Sequence, residues 1–289
     1  METTIELSVR RSALDVDPTR MQARLETLFK AVAKADVSAL CLDFDGTLAP
    51  FRVDPMSVRP WSGVADILDA IQENGRTRLA LISGRPANEV AVRLGMKQTP
   101  EIWGLHGAER RYPDGTMEQE KLAPEQLEAL TDARSKIVDA IQGAHPDFRL
   151  EEKHNSVGVH WRGVHSPDGL AASLAAAKDK MADLLGPFGL RSGLQLLRFD
   201  GGLEVRAGRN KGDALDLLMG ELPPETPVAY LGDDVTDEDA FRVLNKENSK
   251  RSLAILVRRH WRPSDAPVWL RPPVQLRRFL RDWLVASVR

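Results

Sequence analysis

The chain alternates between short apolar runs that stop abruptly and longer stretches in which apolar residues recur every three or four positions. Runs at 39–42, 78–82 and 228–231 each end in polar, glycine-containing sequence. These are Asp43-Phe44-Asp45-Gly46-Thr47, Ser83-Gly84-Arg85, and Gly232-Asp233-Asp234-Val235-Thr236-Asp237-Glu238-Asp239. Apolar runs this short, bounded by turn residues, predict buried strands, and 253–257 predicts another. Parallel strands present their carboxyl ends along one edge of a sheet, where ligands of open α/β folds bind. Three such ends therefore predict one composite site. Met21, Leu25, Leu28, Phe29 and Val32 recur at helical spacing after Pro18 and predict a helix leading into the first strand. A C-terminal helix from about residue 273 has Leu276, Phe279, Leu280, Trp283 and Leu284 as its buried stripe, with Arg277, Arg278, Arg281 and Asp282 as its solvated face.

The stretch between Ser83 and Lys211 is too long for one crossover and carries its own pattern. Helices are predicted near 124–142 and 167–186, and strands near 148–152, 156–162, 194–198 and 202–206. This predicts an independent α+β module inserted into an α/β, doubly wound core. The division is 21–108 with 208–289 for the core and 109–207 for the insert. Residues 1–20 form an extension outside both, polar to about Asp17 and expected to be partly disordered.

The polar ends carry the chemistry. Asp43 and Asp45 stand two apart at a strand end, so they share one face. Two such carboxylates repel unless they share a cation or a proton. They point to a metal site or to a nucleophile beside an acid/base; alone, Asp-x-Asp-Gly is matched equally well by a solvated turn. The segment 233–239 holds five carboxylates in seven residues. Glu238 and Asp239 are accounted for by a helix N-terminus. Asp233 and Asp234 lie closer to the strand end, where carboxylates are costly without a cation. None of the three motifs contains Cys or His, and an oxygen-only donor set points to a hard metal, Mg²⁺. Lys211 is flanked by turn-forming residues ahead of a helical pattern, which fits an anion partner.

In order, strand context and residue type, Asp43-Phe44-Asp45-Gly46-Thr47, Ser83, Lys211 and Gly232-Asp233-Asp234 resemble the four motifs of the haloacid dehalogenase (HAD) superfamily. Within it the chain resembles the trehalose-6-phosphate phosphatases. The resemblance runs over about 37–285, through Leu48-Ala49-Pro50, Gly104-Leu105-His106-Gly107-Ala108-Glu109, Glu151-Glu152-Lys153 and His160-Trp161-Arg162. It implies a Rossmann-like HAD core with an inserted α+β cap that closes over the site. It also implies Mg²⁺-dependent hydrolysis of trehalose 6-phosphate, with Asp43 as nucleophile and Asp45 as general acid and then base. Asp45 must be protonated in the first step, so an upward-shifted pKa is expected in the substrate complex. By the same resemblance Ser83, Gly84 and Arg85 hold phosphate and Lys211 neutralises the transferring phosphoryl; Asp43, Asp45 (through its carbonyl) and Asp233 hold the metal, with Asp234 and Asp237 behind them or on its water ligands. Glu151, Lys153, Glu204 and, more weakly, Arg162 contact the sugar. The chain departs from the family in lacking a Pro after Glu204, in a loop one residue shorter before Lys211, and in Trp161 where Tyr is usual. The rival readings are a related phosphatase acting on another sugar phosphate and a non-catalytic sugar-phosphate sensor. The intact Asp43, Asp45, Ser83, Lys211 and Asp233 set argues against the sensor.

Composition adds bounds. The 289 residues exceed one average domain, and 42% hydrophobic content suffices for a sizeable core. A net charge of −2 gives no argument for nucleic acid or an anionic membrane as partner. Cys41 is the single cysteine, read as a small buried hydrophobe in a reducing compartment. No run of about 18 apolar residues and no signal-peptide pattern is present, so the expectation is a cytoplasmic enzyme. A functional link to a trehalose-6-phosphate synthase follows from the resemblance alone. His106 and His160 each read equally well as site or structural residues. His145, His154, His165 and His260 show no metal spacing.

Overall fold

The computed structural model describes residues 17–52, 54–141, 147–161, 164, 171–191, 193–199, 201–246 and 251–288. The chain forms two compact units, one built from residues up to Glu118 and from Asn210 onward, the other from Gln119–Arg209. The expected extension up to residue 16 lies outside the described residues.

The first unit opens with α1 (Pro18–Lys34), where Asp17 caps the amide of Thr19 at 2.9 Å and Pro18 takes the first helical position. It continues through β1 (Ser38–Leu42), α2 (Val64–Glu73), β2 (Thr77–Ile82), α3 (Ala87–Leu94), β3 (Glu101–Gly104), β4 (Glu109–Arg111) and β5 (Met117–Gln119). The second unit holds α4 (Pro124–Ile141), β6 (Arg149–Lys153), β7 (Ser156–His160), α5 (Ala171–Leu185), β8 (Leu194–Phe199) and β9 (Gly202–Ala207). The chain returns to the first unit through α6 (Lys211–Gly220), β10 (Val228–Gly232), α7 (Glu238–Lys246), β11 (Leu253–Val257), β12 (Val268–Leu270) and α8 (Val274–Ser287).

The large sheet has the order β12-β11-β10-β1-β2-β3-β4-β5, parallel from β12 to β3 and antiparallel between β3 and β4. Every residue of β1, β10 and β11 is buried, as a parallel sheet covered on both faces requires. Strand alternation divides their side chains. Leu40, Leu42, Leu81 and Ile255 pack on one face against Leu28, Leu68, Val90, Phe279 and Trp283. Ala39, Cys41, Ile82 and Tyr230 pack on the other against Leu215, Leu218 and Phe241. Each fully buried Leu, Ile or Phe contributes about 1.5–3 kcal/mol, which is why the apolar runs take the central positions. This is the expected α/β architecture, with α1, α2, α3 and α8 on one face and α6 and α7 on the other.

In the second unit β6, β7, β9 and β8 form an antiparallel sheet in that order. Val157, Val159 and Val205 pack with Ile137, Phe148, Met181, Leu185 and Phe188 in a separate core. The α+β content is as the pattern predicts, but the expected opening at 109 falls inside the first unit. There β4 pairs with β3, the Glu109 carboxylate accepts the Ala87 amide, and the Arg110 guanidinium lies 4.6 Å from the Trp103 ring and 4.4 Å from the Tyr112 ring. A three-residue strand has no period to read, which hid this hairpin from the sequence. At the other crossing Arg209 belongs to the second unit, its amide donating to Glu120 at 2.9 Å. Among the described residues no helix is long and apolar enough to cross a membrane.

Candidate active site

Sheet register assembles the site. Leu42 of β1 lies opposite Leu231 of β10 and Leu81 of β2, so Asp43, Asp233 and Ser83 all emerge just past the carboxyl edge. The Asp43 amide still donates to Leu231 O at 2.8 Å, and the Ser83 amide to Trp103 O at 2.8 Å, which fixes both residues to the sheet. Lys211 is the first residue of α6. Asn210 caps that helix in a reciprocal box with Asp213, which sets the direction of the lysine.

Lys211, Asp43, Asp233 and Asp237 are all buried. The Lys211 ammonium donates to Asp43 Oδ1 and to Asp237 Oδ1, each at 2.7 Å. Asp237 is saturated with donors. Its Oδ1 also accepts from Tyr230 Oη at 2.6 Å, and its Oδ2 accepts the amides of Asp233 and Asp234 at 3.0 and 2.9 Å. Asp43 Oδ2 and Asp233 Oδ1, by contrast, are buried with no hydrogen-bond donor. The carboxylates of Asp43, Asp233 and Asp237 offer oxygens within 4.8 Å of one another. Three carboxylates against one ammonium, with two acceptor-only oxygens unsatisfied, fit a hard cation held by Asp43 and Asp233. With four donors already on its oxygens, Asp237 is a brace.

The electrostatics follow from burial. Burial pushes the Asp43 carboxyl up to about 8, with Lys211 opposing and Asp237 reinforcing the rise. Burial, and then the charges of Asp43 and Asp237, raise Asp233 well above the carboxylate range. For Lys211 burial works downward, but Asp237 and Asp43 overcome it and hold the ammonium above its ordinary value. Burial and the neighbouring Asp237 keep Tyr230 a phenol, hence a donor.

The side chains of Asp234 and Asp45, both assigned to the metal from sequence, make other bonds. The Asp234 carboxylate accepts the Val235 amide at 2.7 Å as the cap of a single 3₁₀ turn and is not in the carboxylate group. The Asp45 side chain turns to Arg85, which donates Nε to Oδ2 at 2.5 Å and Nη2 to Oδ1 at 2.7 Å. Between the two aspartyl loops Gly46 has φ +87°, and a Cβ there would overlap the Asp233 carboxylate, so glycine is required twice over.

Ser83 is 1% exposed and its Oγ accepts the Arg85 amide at 3.2 Å. A Cβ on Gly84 would collide with the His106 ring. Leu105, His106 and Gly107 all have positive φ, at 51°, 61° and 108°. Backbone strain of about 1–3 kcal/mol per non-glycine residue is stabilised by anchors at both sides. His106 N donates to Ser83 O at 2.8 Å, Leu105 N to Arg85 O at 3.0 Å, and Gly107 packs against Ala214 of α6. His106 thus wedges the Ser83 loop in place.

In the second unit the register places Glu151, Gly158 and Glu204 in one row across β6, β7 and β9. Lys153 Nζ lies 3.4 Å from Glu204 Oε1 and 3.7 Å from Glu151 Oε1. The Ser156 hydroxyl donates to Glu204, and His160 Nε2 meets the Glu151 carboxylate. The Trp161 ring lies 5.5 Å from Phe148, tilted by 41°, and packs against that unit's core. Arg162 lies outside the described residues, as do His145 and His165. The sequence reading passed over Tyr230, which looked like strand filling, and two arginines, Arg258 and Arg262, that reach the backbone of Asp233 and Asp234 from a non-periodic loop.

Comparison with known proteins agrees with this geometry. The trehalose-phosphatase family model matches residues 41–270. The trehalose-phosphate phosphatase of Mycobacterium marinum is 32% identical over 232 residues, covering 76% of this chain and 54% of that protein. The chain thus spans about half the length of such curated relatives. Among solved structures, the C-terminal domain of trehalose-6-phosphate phosphatase from C. albicans superposes with a TM-score of 0.71 at 19% identity, covering 91% of this chain and 96% of that one. A Bacteroides thetaiotaomicron protein, described among the phosphatases of the haloalkanoate (HAD) enzyme superfamily, gives 0.56 at 16% identity, covering 86% and 95%. At these identities the structural likeness bears on fold.

Proposed function

Since the chain belongs to the trehalose-phosphatase family, we propose that it hydrolyses trehalose 6-phosphate to trehalose and phosphate through an aspartyl phosphate on Asp43. The observation that carries this is the pair of buried carboxylate oxygens without donors, Asp43 Oδ2 and Asp233 Oδ1, beside the Lys211 ammonium. Lys211 holds the Asp43 carboxylate beside the transferring phosphoryl, and this carboxylate attacks phosphorus. As the new O–P bond forms, the bond from phosphorus to the sugar oxygen breaks, and Asp45 gives that oxygen its proton. Water then attacks the phosphoryl group and loses a proton to Asp45, which releases phosphate and restores Asp43. Lys211 neutralises the transferring group, and the Ser83 hydroxyl with the Gly84 amide holds its oxygens. Arg85 orients Asp45 and offers the phosphate a second cation.

Mg²⁺ would be held by Asp43, Asp233 and the Asp45 carbonyl, where, when bound, it screens the repulsion between a carboxylate nucleophile and a phosphate dianion. Asp237 and Asp234 fix the loop that carries Asp233. We assign sugar recognition to Glu151, Lys153 and Glu204 of the second unit, a set that both accepts from and donates to hydroxyls. Arg162 remains a proposed member of that set. The fully buried Cys41 thiol, pushed up by burial, suits a reducing cytoplasm.

The test is phosphate release from trehalose 6-phosphate, sucrose 6-phosphate and glucose 6-phosphate with Mg²⁺, alongside EDTA and Asp43→Asn controls. Preference for trehalose 6-phosphate, abolished by both controls, is the expected result. Equal turnover of the panel would retain the phosphatase and remove the sugar assignment. No release from any substrate would favour a sugar-phosphate sensor.

A further inference from the structure

Two guanidinium groups converge on the backbone of the loop that carries Asp233. Arg262 Nε donates to the Asp233 carbonyl at 3.3 Å and its Nη2 to the Asp234 carbonyl at 2.8 Å. Arg258 Nη1 donates to the same Asp233 carbonyl at 3.2 Å. Both arginines come from the segment between β11 and β12, and each is itself anchored. Arg262 Nη1 donates to Glu238 Oε1 and to Pro263 O at 2.9 Å. The other Glu238 oxygen accepts the Asp265 amide at 2.8 Å, and the Arg258 carbonyl accepts Trp269 Nε1 at 2.8 Å. The Arg262 side chain is 18% exposed and that of Glu238 10%, so water does little to loosen the pair.

Asp233 is therefore held at both backbone ends. Its amide is bound by Asp237 Oδ2 at 3.0 Å and its carbonyl by two guanidinium groups. Gly46 closes the third side against its carboxylate. A loop beyond a strand end has no ladder to hold it, and the neighbouring Asp43 charge repels Asp233. Without outside anchors the Asp233 carboxylate would relax away from Asp43, and no two oxygens would then face one cation. The guanidinium charges also reach this acidic loop from its backbone side, where they compete with no carboxylate oxygen of Asp43 or Asp233.

We propose that Arg262, supported by Arg258 and Glu238, is a positioning residue of the cation site: it presets Asp233 so that its free oxygen and that of Asp43 meet the same divalent ion. This rests on the reading of Asp43 and Asp233 as a cation site. Partners that orient metal ligands are worth about 10–100-fold in metal affinity. Lys can replace the charge but not the fork that spans two carbonyls.

The experiment is calorimetric titration of the full chain with Mg²⁺ and with Mn²⁺, for wild type, Asp233→Asn, Arg262→Met, Arg262→Lys and Glu238→Gln. Phosphate release is followed against Mg²⁺ concentration in parallel, and folding is checked by circular dichroism in EDTA. Arg262→Met is expected to weaken cation binding about 10–100-fold and to raise the Mg²⁺ needed for half-maximal rate by the same factor, with most of kcat recovered at saturation. Arg262→Lys and Glu238→Gln should fall between it and wild type, and Glu238→Gln serves if Arg262→Met does not fold. Wild-type cation affinity in folded Arg262→Met, or a lost kcat that excess Mg²⁺ does not restore, overturns the assignment. If wild type itself binds neither ion, the cation site falls and this inference with it; if wild type binds and only Asp233→Asn fails to, Arg262 alone is wrongly placed.

Discussion

Arg85 grips Asp45 with two parallel bonds, from Nε to Oδ2 at 2.5 Å and from Nη2 to Oδ1 at 2.7 Å, while Asp43, two residues earlier, is bound by Lys211 instead. The two aspartates of one motif thus have separate cationic partners, and separate partners suit separate tasks. A fork on Asp45 fixes the plane of its carboxyl group. An ammonium on one oxygen of Asp43 leaves the other oxygen open.

From that fork follows a prediction for Arg85→Lys. The charge stays but the two-point hold is lost. Turnover of trehalose 6-phosphate should fall about 10–100-fold, the order of loss expected when a reacting group is misplaced by an ångström. An aryl phosphate, whose leaving group departs without a proton, should lose far less. Equal losses on both substrates would show that Arg85 serves the phosphate rather than Asp45.

Asp43→Asn removes the nucleophile and keeps nearly the size of its carboxyl group. Phosphate release should drop to background in the same assay. Lys211 keeps Asp237 as a partner at 2.7 Å, so the metal-free variant should unfold within about 1 kcal/mol of wild type in urea. A loss of several kcal/mol would assign Asp43 a structural share that its geometry does not indicate.

The pH dependence of cation binding has a definite sign. In the metal-free protein the Asp43 carboxyl is pushed up to about 8 by burial, so at neutral pH a cation must displace a proton. Burial raises Asp233 as well, so affinity should rise with pH through this range, by up to about tenfold per unit for each proton displaced. Titrations in two buffers of different ionisation enthalpy would count the protons released. A pH-independent affinity with no proton release would contradict the assignment of Asp43 as a ligand.

Asp237 should behave as a brace. It accepts from Lys211, Tyr230 and two backbone amides. Asp237→Ala strands the Tyr230 hydroxyl and two backbone amides and leaves Lys211 only Asp43, and should cost about 3–5 kcal/mol in urea unfolding, whereas Tyr230→Phe should cost about 1 kcal/mol. If Asp237→Ala unfolds like wild type, the hydrogen-bond network carries no stability.

Asp43, Ser83, Lys211 and Asp233 were legible in the sequence because each follows a short apolar run or opens a helical pattern, and parallel register does the rest. The hairpin β4–β5 and the strand β12 were not, since three residues carry no period. The roles of Asp234 and Asp237 depend on which carboxylate the 3₁₀ turn folds back on itself, a choice made by φ and ψ rather than by residue type. Glu238 reads as a helix-dipole complement until Arg262, 24 residues on, is seen to pair with it.

The second unit offers the sharpest test of the proposed separation of chemistry from recognition. Glu151 and Glu204 flank Gly158, where a Cβ would crowd Leu203 O, and Lys153 lies within 3.7 Å of both carboxylates. Glu204→Gln keeps the size and the Ser156 contact but removes the charge that holds Lys153. If this group reads the sugar, the variant should raise KM for trehalose 6-phosphate about tenfold, the value of one charged hydrogen bond weakened by about 1.4 kcal/mol, and leave aryl phosphate turnover unchanged. Lys153→Met should do the same through lost donors. Losses of equal size on both substrates would mean that the group holds the second unit's fold, and sugar recognition would have to be sought elsewhere in that sheet.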